Sequence, residues 1–115
     1  MKIVIPVEEN RGKESIVCEH FGRAPYFAVY DREKEKLEIV ENRSEHFGGT
    51  GTPAENILRL KPDIVFVANL GTKAIELMRR HNVKIKTGNF RSVDEVIRNI
   101  DKLEDLESAC KDGMH

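Results

Sequence analysis

Residues 52–68, Thr52-Pro53-Ala54-Glu55-Asn56-Ile57-Leu58-Arg59-Leu60-Lys61-Pro62-Asp63-Ile64-Val65-Phe66-Val67-Ala68, decide the fold. Their first four residues are a capping box, with Thr52 at the N-cap, Pro53 at N1 and Glu55 at N3. The helix they open carries Ile57, Leu58 and Leu60 and must end before Pro62. Ile64-Val65-Phe66-Val67 then runs apolar without alternation, the pattern of a strand covered on both faces in a parallel sheet. A helix feeding such a strand is a crossover connection, and crossovers are right-handed.

Upstream, Ile3-Val4-Ile5 reads as a buried strand, and Pro6 is expected to stop its hydrogen-bonding ladder. Glu8 to Glu19 is polar and lacks helical periodicity, so it reads as a long loop of the kind that is often functional. Tyr26 to Tyr30 is aromatic and β-branched, Asp31 to Lys36 is a charged turn, and Leu37-Glu38-Ile39 alternates as far as Glu41. The short connection makes an antiparallel hairpin.

Downstream, Asn69-Leu70-Gly71 is a turn and a second helix carries Ala74, Ile75 and Met78 on one face. Asn82 stands where a left-handed C-terminal residue is expected, and Val83 to Ile85 is a short strand. Ser92 opens a third helix, Glu95 is expected to complete a second capping box, and Val93, Val96, Ile97, Ile100 and Leu103 follow helical spacing. The element order is β-β-β-α-β-α-β-α. It predicts an α/β fold with a five-stranded mixed sheet of order 3-2-1-4-5 and strand 2 antiparallel. One domain spans 1–103, and 104–115 reads as a C-terminal tail.

A chain of 115 residues supports one core. Hydrophobic residues at 39% and charged residues at 34% describe a globular chain. A net charge of −1 with interspersed signs lacks the basic footprint of a nucleic-acid binder. No apolar run can span a bilayer and MKIVIPVEEN lacks the pattern of a signal peptide, so the expected location is the cytoplasm, without membrane. In a reducing compartment Cys18 and Cys110 are not expected to pair.

The strand order brings Cys18–Arg23, His46–Gly51, Asn69–Gly71 and Thr87–Asn89 to one edge of the sheet, at the switch point where strands one and four part. Three helix N-termini face that edge and favour an anion there. Gly48, Gly49 and Gly51 allow close backbone approach, and Arg23 adds a fork of donors. His20 and His46 supply imidazoles suited to iron, zinc or copper. Cys18, two residues from His20, shares a face with it if the segment is extended. Metal-ligand candidates are therefore His20, Cys18 and His46. Phe21, Tyr26 and Phe27 also read as core residues, Cys18 also as a small buried hydrophobe, and the glycines also as parts of a tight turn.

The run His20-Phe21-Gly22-Arg23-Ala24-Pro25-Tyr26-Phe27 resembles the dinitrogenase iron–molybdenum cofactor biosynthesis family. The resemblance continues through Glu41-Asn42, His46–Gly51, Asp63–Val67 and Asn69–Gly71, to about Leu103. It implies a three-layer α/β fold with a ribonuclease-H-like motif, in agreement with the strand order. It implies binding of an iron–sulfur-type or iron–molybdenum-type cofactor, or a precursor, by a carrier rather than an enzyme. His20 matches the histidine ahead of Phe-Gly, and His46 the histidine ahead of the glycines. The expected cofactor-binding set is His20, Phe21, Gly22, Arg23, His46, Gly48, Gly49, Gly51, Asn69 and Gly71. Expected partners are the cofactor and cofactor-assembly proteins, with the chain a monomer or weak homo-oligomer. A regulatory module that binds a phosphorylated small molecule at the Gly-rich helix N-terminus, without metal, is the alternative. A nuclease of the ribonuclease H type is disfavoured because Lys2-Ile3-Val4-Ile5 carries no carboxylate.

Overall fold

The structure is a computed structural model that describes residues 1–44, 48–68 and 70–106. Its strands are β1 (Lys2–Val7), β2 (Tyr26–Asp31), β3 (Lys36–Glu41), β4 (Ile64–Phe66), β5 (Lys84–Thr87) and β6 (Glu104–Asp105). Its helices are α1 (Pro53–Leu58), α2 (Thr72–Arg80) and α3 (Val93–Arg98), with 3-10 turns at Gly12–Glu14, Phe21–Arg23 and Ile100–Lys102.

The strands form one sheet of order β3-β2-β1-β4-β5-β6. β1 is antiparallel to β2, β2 to β3 and β5 to β6, whereas β1–β4 and β4–β5 are parallel. The expected order 3-2-1-4-5 is thus present, extended by a sixth strand. In sequence Glu104–Asp105 reads as the beginning of the tail, because two charged residues carry no apolar pattern. Backbone pairing with Lys86 and Thr87 and a 2.6 Å ion pair between Lys86 and Asp105 hold it instead.

Alternation along the strands divides the core into two layers. Val4, Phe27, Val65, Val67 and Ile85 face α1 and α2, where Ala54, Ile57, Ile75 and Met78 meet them. Ile3, Ile5, Ala28, Ile64 and Phe66 face the other side, where α3 supplies Val93 and Val96. The result is helix, sheet and helix in three layers with a ribonuclease-H-like strand order.

Pro6 corrects the expectation that it ends the first strand. It sits inside β1 opposite Phe27. Lys2, Pro6 and Glu8 direct their backbone groups away from β2, to Asp63, Cys18 and Ile16 respectively. The missing N–H of Pro6 therefore falls on the side that β4 has already left, and the β1–β2 ladder loses nothing. There the Pro6 carbonyl accepts from the Cys18 N–H at 2.9 Å, stitching the long loop onto β1.

Both expected helix starts are present, but only α1 has the full box. Thr52 Oγ1 accepts from the Glu55 N–H at 3.1 Å and Glu55 Oε1 accepts from the Thr52 N–H at 2.7 Å. At α3, Ser92 accepts from the Glu95 N–H, but the Glu95 carboxylate reaches the Arg91 N–H and the Ser92 hydroxyl. The segment 15–17 is tied to Arg91–Val93 through Val17 N–H to Arg91 O and Val93 N–H to Ser15 O. That tie sets the local backbone. Asn82 takes the left-handed conformation expected of it, with φ 59°.

Candidate functional site

The carboxyl ends of β1, β3, β4 and β5 lie at one edge of the sheet with the N-terminal ends of α1, α2 and α3. The loop before β2 crosses this edge and turns sharply at Glu19–His20 into the 3-10 turn Phe21–Arg23. Backbone bonds make the turn rigid: Arg23 N–H donates to His20 O at 2.8 Å and Ala24 N–H to Phe21 O at 3.3 Å. Phe21 is buried in the α1–α2 layer, while His20, Gly22 and Arg23 are exposed. Arg23 makes no ion pair among the described residues, so its charge is uncommitted.

Cys18 and His20 do not share a face. The extended segment ends at Cys18, and the bend that follows leaves the thiol buried and the imidazole exposed. Cys18 Sγ donates to the His20 carbonyl at 3.3 Å. Burial pushes this thiol above its ordinary pKa; the His20 backbone pulls it partly back, and Glu8 and Glu19 push the same way as burial. It is a protonated anchor beneath the His20 turn, not a thiolate beside the imidazole.

The Gly-rich turn lies next to the His20 turn, joined to it by Asn42. The buried Asn42 amide donates to Ala24 O at 2.8 Å, its Oδ1 accepts from Ser44 N–H at 3.1 Å, and its own N–H bonds to Pro25 O at 2.9 Å. Gly49 N–H then bonds to Ser44 O and Thr50 N–H to Arg43 O. At Gly49 any Cβ would fall on the Arg43 carbonyl, whereas Gly48 and Gly51 have φ of 81° and 79°. Each glycine thus has a reason within the turn itself.

Phe21 and Gly22 form one end of an open groove of about 610 Å³ between α1 and α2. Pro53, Ala54, Ala74 and Leu77 make its walls apolar; Lys73, Glu76 and Arg80 stand on its α2 side and Glu55 on its α1 side. Neither cation is in an ion pair among the described residues. The sequence reading missed this groove. Its signal was a second stripe on α2, Lys73, Ala74, Leu77 and Arg80 at helical spacing, beside the Ile75–Met78 stripe that packs on the sheet.

Gly48 and Gly49 lie in a separate recess of about 370 Å³ with Tyr26, Asn42 and Arg43. Gly51 touches the first turn of α1 and Gly71 is the exposed N-cap of α2. Of the predicted residues, Phe21 and Gly22 line the α1–α2 groove and Gly48 and Gly49 the second recess, while His20, Arg23, Gly51 and Gly71 line neither. His46 and Asn69 lie outside the described residues, as do Cys110 and His115. Among the described residues no group of three or more His, Cys, Asp or Glu side chains is placed to hold a metal ion. No helix among them is long and apolar enough to cross a membrane.

Fold and edge together define a small three-layer α/β domain whose ligand-accessible loops gather at the switch point of a mixed sheet. Residues 1–103 match the model of the dinitrogenase iron-molybdenum cofactor family, and the chain belongs to that family. A curated relative, the uncharacterized protein MJ0580 of Methanocaldococcus jannaschii, is 29% identical over 103 residues, covering 85% of this chain and 83% of its own. The apo form of the orange protein from Desulfovibrio gigas shares the fold with a TM-score of 0.83 at 19% identity, over 96% of both chains. A Thermotoga protein provisionally assigned as NifB, of the DUF35 family, superposes with a TM-score of 0.76 at 25% identity, over 95% of this chain and 96% of that one.

Proposed function

We propose that the chain is a non-catalytic carrier that binds an anionic iron–sulfur or iron–molybdenum-type cluster, or its precursor, and exchanges it with cofactor-assembly proteins. The observation that carries this reading is the His20 turn: an exposed imidazole and an unpaired Arg23 on a rigid loop at the head of an apolar groove flanked by Lys73 and Arg80. Imidazole is a fitting donor for iron, and Arg23, Lys73 and Arg80 outnumber the groove's carboxylates, Glu55 and Glu76, which leaves a small positive balance for a cluster of net negative charge. One described protein ligand suits cargo that must leave again, where a closed four-ligand site would retain it. The family to which the chain belongs supports a cofactor of this kind.

The reading places the protein in a reducing cytoplasm, as a monomer or weak homo-oligomer. It gives Cys18 the task of holding the His20 carbonyl rather than ligating metal. It assigns no catalysis, since the Cys18 thiol is buried, protonated and bonded to a carbonyl rather than to a base. The phosphate-binding alternative loses ground at α1. The Glu55 carboxylate and the Thr52 hydroxyl already cap that helix N-terminus from within, whereas the cluster reading rests on the His20 imidazole and not on helix N–H groups.

Anaerobic reconstitution with iron and sulfide, read by visible absorption and metal analysis, tests the proposal. The wild-type protein should become coloured and hold iron. His20→Ala should lose both while its circular dichroism stays unchanged. A wild-type protein that remains colourless and metal-free, or a His20→Ala protein that binds as well as wild type, overturns it.

A further inference from the structure

β3 is the outer strand of the sheet, and its residues alternate in where their backbone groups point. Phe27, Val29 and Asp31 of β2 oppose Val40, Glu38 and Lys36, and the flanking bond from Asn42 N–H to Pro25 O places the even-numbered residues toward β2. The N–H and C=O groups of Leu37, Ile39 and Glu41 therefore point outward, and none bonds to another described residue. Six residues of open edge are a template for another strand.

A groove runs beside this edge on the α1 side. Two hollows of about 720 and 430 Å³ share Val40, Arg59 and Leu60, and together they extend from the Gly49–Thr50 turn to the opposite end of the sheet. Phe27, Val29 and Leu60 give it an apolar floor. Its walls carry six cations, Lys2, Lys34, Lys36, Arg43, Arg59 and Lys61, against three carboxylates, Asp31, Glu38 and Glu41. Asp31 is occupied in its own turn, accepting from the Glu33 and Lys34 N–H groups. None of the six cations is in an ion pair among the described residues. This local excess stands out on a chain whose net charge is −1. On the other face of β3, toward α3, the turn Gly12–Glu14 lies against the strand, so the accessible approach is from the groove.

We infer that the β3 edge and its basic groove dock an extended, acidic segment of a partner protein, which adds to the sheet as a seventh strand. Main-chain bonds to Leu37, Ile39 and Glu41 supply the pairing, and alternate side chains drop into the groove, where acidic ones meet Arg43, Arg59 and Lys36. The groove ends at the Gly49–Thr50 turn, which Asn42 ties to the His20 turn. A docked partner would thus reach the edge where the candidate site lies. The inference does not depend on the identity of any cargo.

The test is an amide NMR titration of the full chain with an eight-residue peptide of alternating Glu and Val. Shifts should concentrate at Leu37, Ile39 and Glu41 and weaken as salt rises. The double substitution Arg43→Glu, Arg59→Glu should weaken binding by about tenfold or more. Ile39→Pro removes one outward N–H and should abolish the edge shifts. If it fails to fold, the charge reversal alone decides. Shifts scattered over the surface, or binding indifferent to both changes, overturn the inference. So does concentration-dependent self-association through the same amides, which would make a second copy of the chain the occupant. Cluster reconstitution on the same samples reports separately on His20.

Discussion

Two loops meet at the carboxyl edge of the sheet, and in sequence they look like a pair: His20-Phe21-Gly22-Arg23 and Gly48-Gly49-Thr50-Gly51, each short and each rich in residues that ligands favour. In space they are built on opposite principles. The His20 turn roots itself in the core through Phe21 and the Cys18 thiol and leaves its polar tips free. The Gly turn bonds to its own neighbours, Arg43 and Ser44, and its glycines answer to backbone crowding and left-handed φ. Glycine in a loop reports how closely backbone passes backbone. It becomes a sign of a ligand only when nothing in the chain already fills that space.

Gly49→Ala is the strongest way to break this comparison. A methyl group on Gly49 collides with the Arg43 carbonyl, which is backbone and cannot rotate away. The expected cost is about 3 kcal/mol of stability, at the upper end for overpacking. Urea unfolding measures it. A variant of unchanged stability that lost ligand binding would instead return the Gly turn to the class of binding loops.

Asn42→Ala comes next and asks whether the two loops are coupled. It leaves the Ala24 carbonyl and the Ser44 N–H without their buried partner, at an expected cost of about 2 kcal/mol. Hydrogen exchange should speed up at Ser44 and at Gly49, whose N–H bonds to Ser44 O. An effect confined to the Ala24 side would mean that the loops merely lie side by side.

What the sequence disclosed follows the same division. The strand order was legible because a capped helix leading into Ile64–Val67 allows one crossover hand, and the hairpin fixes the first three strands. Asn82 and the Thr52 box were legible because each depends on residues within a few positions. Glu104–Asp105 was not, since its pairing with β5 is purely backbone and electrostatic. The place of Pro6 was not, because it depends on which neighbour strand its missing N–H faces. The separation of Cys18 from His20 turns on a bend at Glu19–His20 that no residue there demands. At the edge itself, the stripe of Lys73, Ala74, Leu77 and Arg80 on α2 hinted at a groove but could not say what would face it. That groove is formed by α1, α2 and the 3-10 turn Phe21–Arg23 together, elements that local pattern does not relate.

The smallest expected effect sharpens the reading of the α1 N-terminus, where the Gly turn ends. Thr52→Ala removes the hydroxyl that accepts from the Glu55 N–H, at an expected cost of about 1 kcal/mol. The Glu55 carboxyl is held below its usual pKa, first by the Thr52 N–H, then by the Thr52 hydroxyl, with Arg59 adding a little. Its charged form is therefore favoured by folding, and that stabilisation is present above the ordinary glutamate range and lost as pH falls through the lowered folded value. The gap between wild type and Thr52→Ala should be widest near neutral pH and narrow in acid, as the carboxyl protonates and releases the box. Were an outside anion the natural occupant of this helix end, the gap would instead close at neutral pH on addition of inorganic phosphate. With Glu55 already seated there, added phosphate should leave it unchanged.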